Sequence, residues 1–436
     1  MVRRSAWLIW LGLTGVVLAG GNTLVAPVAL PPLPLGVVSL GSGRAVNLSV
    51  SAGAGAFRSP TDPAGRIWTI TDRGPAIDCN EEREVIGADD KLICAAGRRG
   101  KIHLLPTFVP SIYGLDIASG KTARVVETLP LKTSAGRPLS GIANPGQTAR
   151  PEISYAPDGQ EIPADPSGIA PGGLVRLSDG TFLIADSSGP SVVEVSSDGT
   201  VRRRIVPQSM GEDLRDAEYP IEPSLPGILA QRQIGRGFEG IAISPDETRV
   251  FVAMQNGLIN PTIDEYRASP LVRLYALDRK SGQVVARYLY SLEPPGAYGG
   301  DHGISGRSLR QSDVRLMEIV ALDGSTLLCL ERLRNLSRIY RVSLREATEF
   351  PLAFDDAATQ PSLERLDAAS WPAAGVQPLK KTLIYEADPS RGPAGRLTGM
   401  AVQSDRELIV IGNNDFGIDG ARTQMFRLTF PASILN

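Results

Sequence analysis

One short pattern recurs along this 436-residue chain and restricts its fold more than any other feature. An apolar strand runs into a tight turn, and a second apolar strand returns and ends on polar residues. The copies read GAGAFRSPTDPAGRIWTITD (53–72), GIAPGGLVRLSDGTFLIAD (168–186), GFEGIAISPDETRVFVAMQ (237–255), LMEIVALDGSTLLCLE (316–331) and LTGMAVQSDRELIVIGN (397–413). Asp-Gly, Pro-Asp or Ser-Asp steps at the turns make each copy a hairpin. A second hairpin follows most of them, as in IYGLDIASGKTARVV, VVEVSSDGTVRRRI and VRLYALDRKSGQVVARY. Two hairpins in series form a four-stranded antiparallel sheet that cannot bury both faces alone. Several such sheets stacked around an axis can, so the pattern predicts an all-β fold, a β-propeller. A β-sandwich or two unrelated β domains is the competing architecture.

Five modules are plain, and the interval between Asp72 and Asp186 is long enough to hold a degenerate one. Six blades are therefore expected, within a range of five to seven. The last module lacks an outermost strand, and the apolar stretch 35–50 is expected to supply it and so close the ring, removing two exposed edges. Segments 127–167, 207–235 and 346–380 carry much Pro, Gly, Asp and Ala with little periodicity, and read as long loops over one face.

Lys+Arg 45 against Asp+Glu 47 excludes a non-specific nucleic-acid binder, so partners have to be argued locally. At the N-terminus, Arg3 and Arg4 precede an apolar run from Ala6 to Ala19, and small residues follow. This is the layout of an export signal, with an uncleaved anchor as the alternative. The division expected is a signal or anchor over 1–26 and one propeller domain over 35–436. Export to the periplasm or the cell exterior follows, with membrane contact only through the N-terminal segment if it is retained. Cys79 and Cys94 flank a polar loop and are expected to form a disulfide in such a compartment; reduced structural cysteines are the other reading. Cys329 sits in an apolar run and reads as a buried thiol.

Several motifs resemble the family known as esterase-like activity of phytase. WTITDRGP (68–75), PTFVPSIY (106–113), GFEGIAISPDETRVFVAM (237–254), MEIVALDGSTLLCLER (317–332) and NNDFG (413–417) match its signatures in order, over most of the chain from about Val50. The resemblance implies a propeller and, loosely, hydrolysis of phosphoesters or related esters. The chain departs from the family pattern where Ser187 follows Asp186, where Thr398 precedes Gly399, and at Asn413. Each departure removes an anionic oxygen.

Equivalent positions of propeller repeats converge on the central channel. Glu239, Glu318 and Thr398 fall near strand starts; Asp72, Asp186, Gln255, Glu331 and Asn413 fall at strand ends, with Asp415 just beyond. Carboxylates crowded in one funnel repel each other unless a proton or a cation neutralises them. Asp72, Asp186, Glu239, Glu318, Glu331 and Asp415 are therefore the expected ligands of a divalent cation, and oxygen donors alone suit Ca²⁺ or Mg²⁺. Such a cation would activate water against an ester. Asp72, Glu239 and Glu331 are the expected catalytic acids, with His302 as a further acid or base, and Arg73 and Arg332 are expected to grip an anionic substrate. The bland reading is that each acid caps a turn or pairs with a neighbouring arginine. The function expected is an exported hydrolase of phosphoesters or related esters acting on a small anionic molecule. The alternatives are a non-catalytic propeller binding a ligand or protein, and a lactonase-like propeller. No G-x-S-x-G elbow supports a serine esterase.

Overall fold

The structure is a computed structural model, and it describes residues 23–40, 43, 45–86, 93–94, 99–117, 120–146, 151–299, 308–387 and 396–435. Most of the expected leader, and His302, lie outside these residues. Five sheets form a ring in which each innermost strand contacts the next. Blade 1 runs from the axis outwards as Gly55–Phe57, Arg66–Ile70, Ser111–Asp116 and Arg124–Pro130. Blade 2 is Pro171–Arg176, Phe182–Asp186, Ser191–Val195 and Val201–Pro207, with Ile221–Leu225 added in parallel outside. Blade 3 is Phe238–Ile243, Arg249–Met254, Leu271–Asp278 and Val284–Ser291; blade 4 is Val314–Ala321, Thr326–Leu333, Leu336–Ser343 and Lys381–Glu386. Blade 5 takes Leu397–Ser404, Glu407–Gly412 and Gln424–Thr429 from the C-terminal end of the chain.

The ring has five blades rather than six. The interval expected to hide a degenerate blade instead builds a separate sheet of short strands, Ala76–Asp78, Gly100–His103, Ile153–Tyr155 and Glu161–Ile162. Closure also differs from expectation. The outer strand of blade 5 is Leu24–Pro27, with Leu24 opposite Thr429 and Pro27 opposite Phe426, whereas 35–50 folds on itself as the hairpin Pro34–Ser39 and Ala45–Ser49. Blade 5 thus includes Leu24–Pro27, ahead of residue 35.

The core lies between neighbouring blades, and the two-residue period of a strand explains it. On the strand Glu407–Gly412, Leu408 and Val410 pack towards blade 4 against Leu328 and Leu330, while Ile409 and Ile411 pack towards blade 1 against Ile67 and Leu115. Trp68 turns the other way and meets Phe182 of blade 2 edge-on, with ring centroids 5.2 Å apart. Because both faces are covered, the second strands read as unbroken apolar runs such as RVFVAM and ELIVIG.

The Cys79–Cys94 disulfide is present, with Cα atoms 5.8 Å apart. It pins the end of the separate sheet, where the buried Glu82 carboxylate caps the Cys94 amide at 3.2 Å. Its sequence separation of 15 residues sets an expected cost of about 3 kcal/mol for the double change Cys79→Ser, Cys94→Ser. A urea titration should show that loss. Reductant should lower the wild-type midpoint and leave the double variant unmoved.

Candidate functional site at the channel mouth

Four of the five inner strands share one irregularity, and it sets where Glu239 and Glu318 point. Ladder register slips between Pro171 and Gly173, Phe238 and Gly240, Leu316 and Glu318, and Leu397 and Gly399. The extra residue of each bulge is Gly172, Glu239, Met317 and Thr398, and a bulge re-aims the side chain it carries. Glu239 is therefore equivalent to Met317, and Glu318 is equivalent to Gly173, Gly240 and Gly399. The two glutamates that sequence places together occupy different layers of the axis.

Glu239 is half-buried at the mouth. Burial and then the nearby Asp72 carboxylate push its pKa up to about 8, against the pull of Arg332, Arg236 and Arg315. Among the described residues none of these three arginines makes an ion pair. Arg236 donates to the Gln255 side-chain oxygen, Arg332 donates to the Leu397 carbonyl at 3.3 Å, and Arg315 has no hydrogen-bond partner among the described residues. Burial and the other two guanidiniums push Arg315 well below its ordinary pKa, and burial pushes Arg332 down to about 10. Like charges held together without counter-ions are costly, and an anion in the mouth relieves that cost.

Asp72 is half-buried beside this group and accepts the Arg73 amide at 2.6 Å. Burial raises its pKa, opposed by Arg73 and Lys101. Asp415, also raised by burial, faces Asp72 from blade 5 and meets Arg396 at 3.3 Å.

The remaining expected residues are engaged elsewhere. Asp186 is fully buried; it accepts Arg204 at 2.8 Å and the amides of Ala170, Ser188 and Gly189 at 3.2, 2.8 and 2.9 Å. Glu331 is equally buried, taking Tyr290 and Lys381 on Oε1 at 2.5 and 2.6 Å, and the Glu293 amide and Tyr298 on Oε2, both at 3.0 Å. These two acids pair with Pro171 and Leu316 in their ladders. The mouth is reached one residue later, by Gln255 and Arg332. Arg73 is spent on Glu152 at 2.6 Å and the Gly141 carbonyl at 2.7 Å, and so holds these two residues instead of offering itself to a substrate. His103, which sits against Ser154 at 3.2 Å, is driven by burial to a pKa of about 3 and stays neutral.

The six expected cation ligands thus do not form one donor set. Asp186 and Glu331 have their oxygens filled, Glu318 lies under backbone amides, and only Asp72, Glu239 and Asp415 look into the mouth. Among the described residues no group of three or more acid, histidine or cysteine side chains is placed to hold a metal ion. Asp72 and Glu239 share the mouth with Arg236, Arg315 and Arg332. Arg236 and Arg315, which complete it, were not among the expected residues. Their sequence signal is a basic residue around the start of the inner strand in three modules: Arg236 two residues ahead of it, Arg315 its second residue and Arg396 just before it.

Comparison with known proteins agrees with the motifs. An uncharacterized secreted protein of Arthroderma benhamiae is 27% identical over 228 residues, which cover 45% of this chain and 41% of that protein. The chain thus matches less than half the length of this relative. Among solved structures, luciferin-regenerating enzyme is similar over 92% of this chain and 96% of its own, at 10% identity and a TM-score of 0.35. Streptogramin B lyase is similar over 93% and 97%, at 11% identity and 0.32, and the PQQ-bound aldose sugar dehydrogenase of Streptomyces coelicolor over 94% and 98%, at 11% and 0.29. At those scores the likenesses add nothing to the topology described above. Residues 58–416 match the phytase-like family described as esterase-like activity of phytase, and the chain belongs to that family.

Proposed function

We propose that the protein is an exported hydrolase of anionic esters, phosphate esters foremost, acting at the channel mouth. The observation that carries this reading is the trio of guanidiniums that make no ion pair among the described residues, Arg236, Arg315 and Arg332, gathered around one carboxyl whose pKa burial pushes up to about 8. The arginines would bind the anionic group and stabilise the charge that grows on its oxygens. Water attacks the phosphorus or acyl carbon and passes a proton to Asp72. The ester bond breaks, and the leaving oxygen takes the proton of Glu239. Exchange with solvent then restores both carboxyls. Family membership supports ester chemistry, and the disulfide together with the secreted relative supports export.

The test is a panel of phosphomonoesters, phosphodiesters and simple esters, assayed with and without Ca²⁺ on wild type and Arg315→Gln. Removing one charged donor should lower kcat/KM by about 10–100-fold, the equivalent of a charge-assisted hydrogen bond. Absence of wild-type turnover on every substrate, with or without the ion, would refute the hydrolase and leave a ligand-binding propeller.

A further inference from the structure

Below the mouth the five inner strands come so close that four of them carry glycine at the same level: Gly55, Gly173, Gly240 and Gly399. A methyl group on Gly55 would lie 2.7 Å from the Gly173 Cα, one on Gly173 2.7 Å from the Glu239 carbonyl, and one on Gly399 2.7 Å from the Ala56 amide. Blade 4 breaks the rule with Glu318. Its side chain is buried in the cradle the glycines leave, with Oε2 about where a Gly55 side chain would otherwise press, at 3.0 Å.

The inward edge of an innermost strand has no ladder partner, so its buried amides would otherwise be orphaned. Glu318 answers them. Oε2 accepts the Ala56 amide of blade 1 at 3.3 Å and Oε1 accepts the Ile319 amide of its own blade at 3.2 Å; towards blade 3, a methyl group on Gly173 would meet both the Glu239 carbonyl, at 2.7 Å, and Glu318 Oε1, at 3.4 Å, and the Ile241 amide acts favourably on the carboxyl. Ile241 lies two residues beyond Glu239, on the same strand and just after the bulge that aims it.

We propose that Glu318 is a positioning residue that locks the inner edge of blade 3 and thereby fixes Glu239 in the mouth, a role that rests on the hydrolase reading above. The groups facing Glu239 are Asp72, Arg236, Arg315 and Arg332, and Glu239 is the charged group that faces Glu318. Glu318 touches no substrate. Its removal frees the strand and lets water in beneath Glu239, so the acid moves and its environment becomes more polar.

The experiment compares wild type, Glu318→Ala, Glu318→Gln and Glu318→Asp, with circular dichroism to establish folding. Folded Glu318→Ala should lose at least about tenfold in kcat with KM nearly unchanged, and the alkaline limb of its pH profile should fall by about one unit. Glutamine keeps one acceptor oxygen and should lie between. If the alanine variant fails to fold, the glutamine and aspartate variants carry the same comparison. A separate readout uses infrared titration of the Glu239 carboxyl, identified by its loss in Glu239→Gln. That titration should shift in the Glu318 variants even if wild type hydrolyses nothing, so failure of the hydrolase reading remains distinct from failure of this one. Folded variants with wild-type kcat, pH limb and Glu239 titration overturn the proposal.

Discussion

Glu239→Gln should leave the ring intact and lower turnover by about 10²–10⁴-fold, the range a general acid contributes. Glutamine keeps the shape of the side chain and the neighbouring arginines keep their grip on the anion, so KM should change little. The pH profile gives the sharper signature. Glu239 donates only while protonated, so wild-type activity is present below a pKa of about 8 and is lost as pH rises through it. The variant should lack that limb. Stability carries the same sign: the folded protein keeps this proton up to about 8, whereas an unfolded chain releases it near the ordinary value of 4.5. Native stability should therefore decline across that interval in wild type, and less steeply in the variant. Kinetic profiles and urea midpoints from pH 5 to 9 would measure both. A variant that keeps wild-type turnover would remove Glu239 from the chemistry.

The second large effect concerns the fold. Arg204→Ala should cost about 3–5 kcal/mol, because it strands a buried carboxylate in blade 2. Arg204 and Asp186 are both inaccessible, and the guanidinium also reaches Ser191 at 2.8 Å, the Gly168 carbonyl at 3.1 Å and Asn144 at 3.1 Å. Replacing both partners with apolar residues should restore much of the loss, since no unpaired charge is then left inside. Denaturant midpoints for the two singles and the double decide it. Asp186→Asn should keep its activity per folded molecule, which separates a framework acid from a working one.

The repeat was readable because strands covered on both faces show unbroken apolar runs, and hairpin turns punctuate them at regular intervals. The segment between blades 1 and 2 was misread as a blade because its strands, AID, GKIH, ISY and EI, are too short to show any period. The site was half readable. Glu239, Asp72 and Arg332 lie near one another, whereas Asp186 and Glu331 are paired inside their blades with Arg204 and Lys381. A single step along a strand reverses the side a residue faces, and a bulge shifts that phase without any mark in composition. The same shift disguised Glu318, which sits in a glycine position while resembling Glu239 in its local sequence. Arg236 and Arg315 are not legible in the sequence because an isolated arginine beside a glycine or a valine has no pattern of its own; only proximity in space gives them a common purpose.

The strand Leu24–Pro27 has a bearing on how the molecule comes into being. Its hydrogen-bonding partner, Gln424–Thr429, is made only after the four blades between them, so Leu24–Pro27 must wait, unpaired, through all that synthesis. Such a long-range pairing is slow to find. Until it forms, the flank of Gln424–Thr429 stays open as a template for other chains, and clumping during assembly should be worst in molecules trimmed at either extremity.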